Sequence, residues 1–236
     1  MTVKKSFPGL SGNTIKLLAA RAMLCDHVGM IFFPRVGTFR AIGRIAFPLF
    51  AFMIAEGSAH TRNMRRYLGR LALIALISQF IFLVAVPTFR QCVMVTFSLS
   101  ILLILSIQNL KERKTPLAIC LFFGISALVF FLCVVLPHIL ADIDFAIDYG
   151  LIGVLLPVVI RLLPNRTSRL FSVAALLCLL AVTDSTIQWF ALLALPILFL
   201  YNGQRGKTNL KWFFYLFYPI HLTLLYLIRE IVVRFA

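Results

Sequence analysis

The stretch Leu18-Ala-Ala-Arg-Ala-Met-Leu-Cys-Asp-His-Val-Gly-Met-Ile-Phe-Phe33 decides the fold class, because it is long and apolar enough to cross a bilayer. Near its middle it carries two adjacent ionisable residues, Asp26 and His27. A centrally placed charge costs about 3 kcal/mol on insertion scales, and a chain that keeps one in hydrocarbon usually uses it. The stretch therefore predicts a membrane helix that contributes to a functional site.

The composition of the whole chain indicates an integral membrane protein. Of its 236 residues, 61% are hydrophobic and 13% are charged, whereas a soluble domain is about half apolar and about a quarter charged. The net charge of +15 would suggest nucleic acid in a soluble protein. Here the basic residues fall in short loops, as they do in helical membrane proteins, and no nucleic-acid-binding module is visible. We therefore expect a lipid bilayer as partner and no nucleic acid.

The rest of the chain divides into further apolar segments. At roughly 20 residues per crossing we count about nine. Their approximate ranges are 14–33, 40–58, 70–87, 93–109, 117–136, 149–163, 170–183, 187–202 and 211–233. No extramembrane domain and no convincing internal repeat stands out. The prediction is one all-α domain over residues 1–236, a polytopic integral membrane helical bundle.

The charges of the connections alternate along the chain. Basic residues precede the first segment and fill every second connection after it: Lys4, Lys5; Arg62, Arg65, Arg66, Arg70; Lys111, Arg113, Lys114; Arg161, Arg166, Arg169; Arg205, Lys207, Lys211. The connections between them are acidic or nearly uncharged: Arg35; Arg90; Asp142, Asp144, Asp148; Asp184. Because cytoplasmic loops collect Lys and Arg, the alternation predicts a cytoplasmic N-terminus and, with nine crossings, a C-terminus outside.

Four polar residues inside the segments are the candidates for catalysis. Asp26 and His27 lie slightly outside the midplane, and Arg44 enters from outside to a similar depth, so an Asp26–Arg44 ion pair is possible if the first two helices are neighbours. Adjacent residues point about 100° apart on a helix, so Asp26 and His27 do not share one narrow stripe. His221 follows Pro219, which can kink the last helix. We predict a reaction centre of these four; a structural ion pair and ordinary core histidines are the alternative.

A basic cluster joins the second segment to the third. It comprises Glu56, His60, Arg62, Arg65, Arg66 and Arg70. Positive-inside topology alone explains its arginines. The functional alternative is a docking site for a polyanion, such as the phosphates of a nucleotide-based acyl donor.

An acidic stretch on the opposite side, Asp142 to Asp148, leads into Tyr149. As an external patch it could attract an amine-bearing acceptor, or it could be only a solvated loop. We predict that Asp148 and Tyr149 bind the acceptor, together with polar residues of other segments: Gln79, Thr96 and Tyr218.

The five cysteines indicate no site of their own. Cys25, Cys92, Cys120, Cys133 and Cys178 are scattered, without a CxxC motif or a Cys/His cluster. Such residues are typical of small core hydrophobes, so we expect neither disulfides nor a bound metal.

Six blocks of the chain resemble the TraX family, membrane proteins associated with N-terminal acetylation of conjugative pilin. The blocks are Ile15-Lys-Leu-Leu-Ala…Met23-Leu-Cys-Asp26-His27-Val-Gly; Arg40-Ala-Ile-Gly-Arg44-Ile-Ala-Phe47-Pro48-Leu49-Phe50-Ala-Phe; Glu56-Gly…His60-Thr-Arg62-Asn; Asp148-Tyr149-Gly150; Tyr201-Asn202-Gly203-Gln-Arg205-Gly206; and Phe217-Tyr218-Pro219-Ile-His221-Leu. Their order carries the resemblance more than any single block, and they cover nearly the whole chain.

The resemblance implies acyl transfer in a bacterial inner membrane. TraX proteins resemble a wider group of membrane acyltransferases that take acetyl from cytoplasmic acetyl-CoA through a buried histidine. By this resemblance we expect acetyl-CoA as donor at the basic cluster and an amine, such as a pilin-type N-terminus, or a hydroxyl as acceptor. The acceptor could be a protein, a glycan or a small amine. A proton- or anion-coupled transporter or flippase and a non-catalytic assembly factor remain the alternatives.

The predicted residues suit such chemistry on general grounds. A histidine near neutrality can take the acceptor's proton. A carboxylate such as Asp26 can orient the imidazole, and Arg44 can hold Asp26 ionised or stabilise an oxyanion. Which histidine is the base, and whether an acyl-histidine forms, stay open.

Overall fold

The protein contains helices and no strands in residues 9–85 and 88–235, the part that this computed structural model describes. The α-helices are α1 (Gly12–Phe32), α2 (Gly37–Gly43), α3 (Ala46–His60), α4 (Met64–Ala85), α5 (Val93–Arg113), α6 (Pro116–Phe130), α7 (Leu136–Ile139), α8 (Gly150–Leu162), α9 (Arg166–Thr183), α10 (Ala194–Phe199) and α11 (Lys211–Phe235). A π-helical turn, Phe131–Val135, joins α6 to α7, and two 3-10 segments complete the set: Ala141–Ile143 and Thr186–Leu193.

The predicted helical membrane bundle is confirmed. Within the described ranges, the pairs α2–α3 and α6–α7 each make up one candidate membrane span. Thr186–Leu193 continues into α10, so the helices correspond to the predicted segments. Six of them are long and apolar enough to cross a membrane. The predicted residues 86 and 87 of the third segment lie outside the described residues, as do Lys4 and Lys5.

Three helices differ from a simple apolar span, one in its charge and two in their length. α1 has 21 residues but carries Lys16, Arg21 and Asp26. α8 has 13 residues, which at 1.5 Å per residue is ~20 Å, less than the ~30 Å hydrocarbon core. Thr186–Phe199 is likewise short. Both short helices pack against neighbouring helices of the bundle.

The helix ends form two faces of the bundle. One cavity brings together the starts of α1, α4 and α11 and the end of α3, and the Arg169–Glu56 ion pair adds the start of α9. We call this side the basic face; it carries the connections that are rich in Lys and Arg. The Arg90–Asp144 ion pair lies on the opposite face. The grouping agrees with the alternation of loop charges, and the cytoplasmic side remains a prediction.

The core is formed where α1, α3, α5 and α8 pack together with α11. Ile15, Leu49, Ile101, Leu156 and Leu222 are fully buried there. Large apolar side chains are exposed along α4, α6 and the second half of α11, the surface that a bilayer would cover. The polar residues of the site must therefore be satisfied inside the bundle.

Candidate functional site

Asp26 of α1 is held by two arginines at the adjoining end of α2. Nη2 of Arg44 donates hydrogen bonds to both carboxylate oxygens of Asp26, at 2.8 and 2.9 Å, and Nη1 of Arg40 donates to Oδ2 at 3.0 Å. Asp26 and Arg44 are both buried, and pairing makes buried charges tolerable. The structure contains the Asp26–Arg44 pair that the sequence predicts, and it adds Arg40. Two guanidinium groups facing one carboxylate leave excess positive charge in this cluster.

A break between α2 and α3 brings Arg44 to this depth. α2 ends at Gly43, and α3 begins at Ala46. Pro48 lacks the N–H that would bond the carbonyl oxygen of Arg44, and its ring crowds that carbonyl. At Gly43 the helices approach so closely that a Cβ atom would lie 2.2–2.5 Å from side-chain atoms of Asp26. Glycine is therefore required for the carboxylate to reach its partners.

His27 and His221 join α1 to α11. Nδ1 of His27 lies 2.7 Å from Nε2 of His221, and the rings stack with centroids 4.9 Å apart. Nδ1 of His221 lies 2.6 Å from the carbonyl oxygen of Phe217. Because a carbonyl only accepts, Nδ1 of His221 carries its proton, and Nε2 of the neutral ring is an acceptor. Nδ1 of His27 must then donate to it, which assigns the free lone pair of neutral His27 to Nε2.

One ring nitrogen of this pair, Nε2 of His27, has no hydrogen-bond partner among the described residues. His27 makes no other hydrogen bond with residues 9–85 or 88–235, and its side chain is half-buried. The edge of its ring meets the ring of Tyr218 at 6.1 Å. An imidazole with an unpaired nitrogen can act as a general base or a nucleophile.

His221, and not Asp26, is the hydrogen-bond partner of His27. Both carboxylate oxygens of Asp26 bind arginines, whereas Nδ1 of His27 bonds to His221. The 100° between adjacent helical positions is the reason, since it turns Asp26 towards α2 and His27 towards α11. Of the two predicted partners, Arg44 therefore pairs with Asp26 and His221 pairs with His27.

The Asp148–Tyr149 turn precedes α8. Asp148 is exposed and Tyr149 is half-buried, so an exposed acidic stretch that includes Asp148 agrees with the sequence prediction, and its role in acceptor binding stays a prediction. The N–H of Asp148 donates to the carbonyl of Gln91 at 3.1 Å, and its carbonyl accepts from the hydroxyl of Thr96 at 2.7 Å. These bonds hold the turn against the start of α5.

Tyr149 adopts a strained backbone conformation. Its φ is +61°, a left-handed value that is unusual for a bulky residue. Its ring stacks on that of Phe47 with the centroids 3.7 Å apart. Strain of this kind, about 1–3 kcal/mol, concentrates at functional sites.

The predicted acceptor residues fall into two groups. Asp148, Tyr149 and Tyr218 interact electrostatically with one another, and Tyr218 contacts both histidines. Thr96 acts only through the backbone of Asp148. Gln79 accepts from the N–H of Cys92 and donates to the carbonyl of Arg90, so it fixes the turn before α5.

A cavity of about 730 Å³ opens on the basic face. Its volume is in the range of ~300–1,000 Å³ that small-molecule sites occupy. Its charged and imidazole lining comprises Lys16, Glu56, His60, Arg62, Arg70, Arg205 and Lys211. Nε of Arg70 is buried and has no hydrogen-bond partner among the described residues, so this donor is available to a ligand. The cavity can bind an anion.

The predicted donor residues are only partly in this cavity. Arg65 and Arg66 are exposed and do not line it, because the stripe of α4 that faces the cavity runs through Tyr67 and Arg70. Glu56 lines it, but Oε1 accepts from Arg169 at 2.7 Å and Oε2 accepts from Tyr201 at 3.2 Å. Glu56 therefore joins α3 to α9 and leaves the cavity basic.

The segment 200–208 forms one wall of the cavity. The N–H groups of Gly12 and Asn13 donate to the carbonyls of Gln204 and Arg205, at 2.7 and 2.9 Å, and Nδ2 of Asn13 donates to the carbonyl of Thr208. These bonds satisfy the first N–H groups of α1, which have no partner within the helix. They also hold Arg205 against the cavity.

Three basic lining residues were missed by sequence reasoning. Lys16, Arg205 and Lys211 lie on α1, on the wall segment and on α11, far in sequence from the 56–70 cluster. The sequence signal for this part of the cavity was the block Tyr201-Asn202-Gly203-Gln-Arg205-Gly206. Its two glycines adopt left-handed φ values, which mark a fixed loop. No group of three His, Cys, Asp or Glu in the described ranges could hold a metal ion.

The fold and the site define a polytopic helical membrane protein with a buried histidine pair, an Arg–Asp–Arg cluster and a basic cavity at one face. The chain belongs to the TraX family: the family model, described as TraX protein, matches residues 11–229. A relative from Dichelobacter nodosus, the "Probable fimbrial assembly protein FimC, serogroup H1", is 28% identical over 246 residues, covering 91% of this chain and 94% of that protein. No solved structure matches the chain.

Proposed function

We propose that this protein is a membrane-embedded acyltransferase that transfers acetyl from acetyl-CoA to an amine or hydroxyl acceptor, with His27 as general base. The observation that supports the proposal most is the fixed hydrogen-bond chain from Phe217 through His221 to His27, which leaves Nε2 of His27 free. A base oriented in this way needs no rearrangement before it accepts a proton. Such preorganisation is what a catalytic site requires and a structural histidine does not.

The basic cavity supports a nucleotide-based donor. Five Lys and Arg side chains line it, and the one acidic side chain, Glu56, is paired with Arg169. Guanidinium groups bind phosphate oxygens with charge-assisted hydrogen bonds, often two at once. The unpartnered Nε of Arg70 offers one such donor. The residues present therefore fit the polyanionic head of acetyl-CoA.

The proposed reaction moves one proton and one acyl group. The acceptor's N–H or O–H gives its proton to Nε2 of His27 as the acceptor atom bonds to the thioester carbonyl carbon. The C–S bond then breaks, and the leaving thiolate takes the proton back from His27. His221 stabilises the imidazolium by accepting from Nδ1 of His27 throughout. A direct transfer accounts for every atom, and a covalent acyl-histidine is an additional possibility at the same nitrogen.

The Arg40–Asp26–Arg44 cluster supplies the electrostatics of this scheme. Two guanidinium groups facing one carboxylate leave excess positive charge in the cluster. This charge favours the oxyanion that develops on the thioester carbonyl.

The relative from Dichelobacter nodosus is named for fimbrial assembly, which supports a pilin-type N-terminus as acceptor. The multi-pass helices and the bacterial source of that relative are consistent with the proposed location, a bacterial inner membrane. The same name also supports the second candidate, a non-catalytic assembly factor. A transporter or flippase would use the buried charges as an ion path. Donor dependence separates the three functions.

Purified protein in proteoliposomes tests the proposal directly. It is given radiolabelled acetyl-CoA together with detergent-extracted membrane proteins, lipids and glycans of a strain that lacks the gene. We expect label in one acceptor fraction, at a rate that depends on both the protein and the donor. No label in any fraction and no binding of acetyl-CoA would contradict the enzyme. Ion-coupled uptake without an acyl donor would favour the transporter, and restored fimbriation by a variant that cannot bind acetyl-CoA would favour the assembly factor.

A further inference from the structure

The deep end of the basic cavity is apolar. Phe50, Met94 and Phe97 line it there. Phe50 lies ten residues before the end of α3 at His60, which is ~15 Å along the helix, whereas Met94 and Phe97 come from the start of α5 near the opposite face. An elongated ligand with its phosphates at the basic face would therefore place its uncharged end against these side chains.

A column of three stacked rings closes this end. Phe97 lines the cavity, and Phe47 stacks on it in parallel, with the ring centroids 6.0 Å apart. Phe47 does not line the cavity and is buried; its other face stacks on Tyr149 at 3.7 Å. The hydrogen bond from Thr96 to the neighbouring carbonyl of Asp148, together with the left-handed backbone, fixes Tyr149.

The same column adjoins the reaction centre. Tyr149 interacts electrostatically with Arg44 and with Tyr218, and Tyr218 packs edge-on against both histidines. The column thus runs from the deep end of the cavity towards Tyr218 and the histidines, none of which lines the cavity itself. The rings are positioned to limit the size of the group that can be accommodated there.

We propose that Phe97, Phe47 and Tyr149 limit the acyl chain of the donor, so that the protein accepts a short-chain acyl-CoA and excludes longer ones. The inference rests on the proposed function, since it assigns the acyl specificity of the same site. Packed rings do not move aside without loss of contacts, so a longer chain meets Phe97 and cannot be buried. In an open cavity each buried methylene would instead increase affinity, roughly fourfold.

Binding to acetyl-, butyryl- and hexanoyl-CoA in lipid nanodiscs tests the proposal, with wild type and Phe97→Ala compared by titration. We expect wild type to bind acetyl-CoA at least about tenfold more tightly than hexanoyl-CoA, the scale at which pockets reject extra methylenes. Phe97→Ala opens the column and should reduce this preference to about threefold or reverse it. Phe97→Leu, which keeps an apolar side chain, should shift it partway and serves if the alanine variant does not fold.

The matched control is Phe80→Ala on α4, whose ring is 69% exposed on the lipid-facing surface. This variant should keep the wild-type preference for acetyl-CoA over hexanoyl-CoA. It also reports how much long acyl chains partition into the lipid. An unchanged preference in both Phe97 variants, with acetyl-CoA still bound, would overturn the chain-length inference and leave the acyltransferase standing. Equal binding of all three donors by wild type would also overturn the chain-length inference and leave the acyltransferase standing. Failure of every protein to bind any acyl-CoA would overturn the proposed function itself.

Discussion

The histidine–arginine site and the basic cavity hold their charges in opposite ways. Around Asp26 and His27, the carboxylate oxygens and the bonded ring nitrogens have fixed partners at 2.6–3.0 Å. In the cavity, basic side chains from five separate parts of the chain face one space with little negative charge between them. The charges of the first region are paired without any ligand, whereas the positive charge of the second would be neutralised by an anionic ligand. Substitutions in the first should therefore affect folding, and substitutions in the second should affect binding and its salt dependence.

Removal of the Asp26 carboxylate should have the largest effect on stability. Asp26→Ala leaves Arg44 and Arg40 without their anion in the bundle, and breaking a buried pair in this way costs about 3–5 kcal/mol. Reversible unfolding in mixed micelles would measure the loss. Asp142→Ala, on an exposed part of the loop, is the matched control and should leave stability unchanged. Equal unfolding free energies for the two variants would contradict a paired, buried cluster.

A methyl group at Gly43 should disturb the same cluster less severely. In Gly43→Ala the new Cβ must push Asp26 away from its arginines, and overpacking typically costs about 1–3 kcal/mol. Gly37, on the same helix, has no atom within 4 Å of an added Cβ. Gly37→Ala is therefore the control, and it should be as stable as wild type. The account fails here if Gly43→Ala retains full stability in the same unfolding assay.

Loss of a cavity charge should weaken donor binding without unfolding the protein. Arg62→Gln and Arg205→Gln each remove a phosphate partner, and a loss of about 1.4 kcal/mol corresponds to tenfold in Kd. Titration of acetyl-CoA at two salt concentrations measures it, and wild-type affinity should fall as salt rises. Arg65→Gln serves as control, because Arg65 does not line the cavity. A weakening as large in Arg65→Gln would argue against this cavity as the site.

Removal of the exposed Arg90–Asp144 pair should have the smallest effect on stability. Arg90 lowers the pKa of the Asp144 carboxyl through a hydrogen bond. A group whose pKa is lowered on folding stabilises the fold above its unfolded pKa, near pH 4, and the stabilisation is lost as pH falls through the lowered value. Exposed pairs contribute little. Asp144→Asn should match wild type in thermal melts at low pH and differ at most slightly at pH 7; a large difference at pH 7 would be unexpected.

Much of the fold was predictable, because hydropathy and loop charge report directly on membrane crossings. The segments, the separation of Asp26 from His27 and the Asp26–Arg44 pair follow from spacing alone. Arg40 could have been included on the same grounds, since it precedes Arg44 by one helical turn. What hydropathy does not report is how far each helix is displaced along the membrane normal.

The membership of the cavity depended on such displacements and on how the loops pack. Lys16, Arg205 and Lys211 meet only because segment 200–208 is hydrogen-bonded to the start of α1. Such contacts come from tertiary packing, so no local pattern encodes them.

The central claim is that His27 is the base and His221 orients it. The most direct test is the rate of labelled acetyl transfer by His27→Asn and His221→Asn in proteoliposomes, with the Kd for acetyl-CoA measured on the same samples. We predict that His27→Asn lowers the rate by about 10²–10⁴-fold, the contribution of a general base, at unchanged Kd. His221→Asn should lower it less, because the base remains. A His27→Asn protein that transfers acetyl at the wild-type rate would contradict the account.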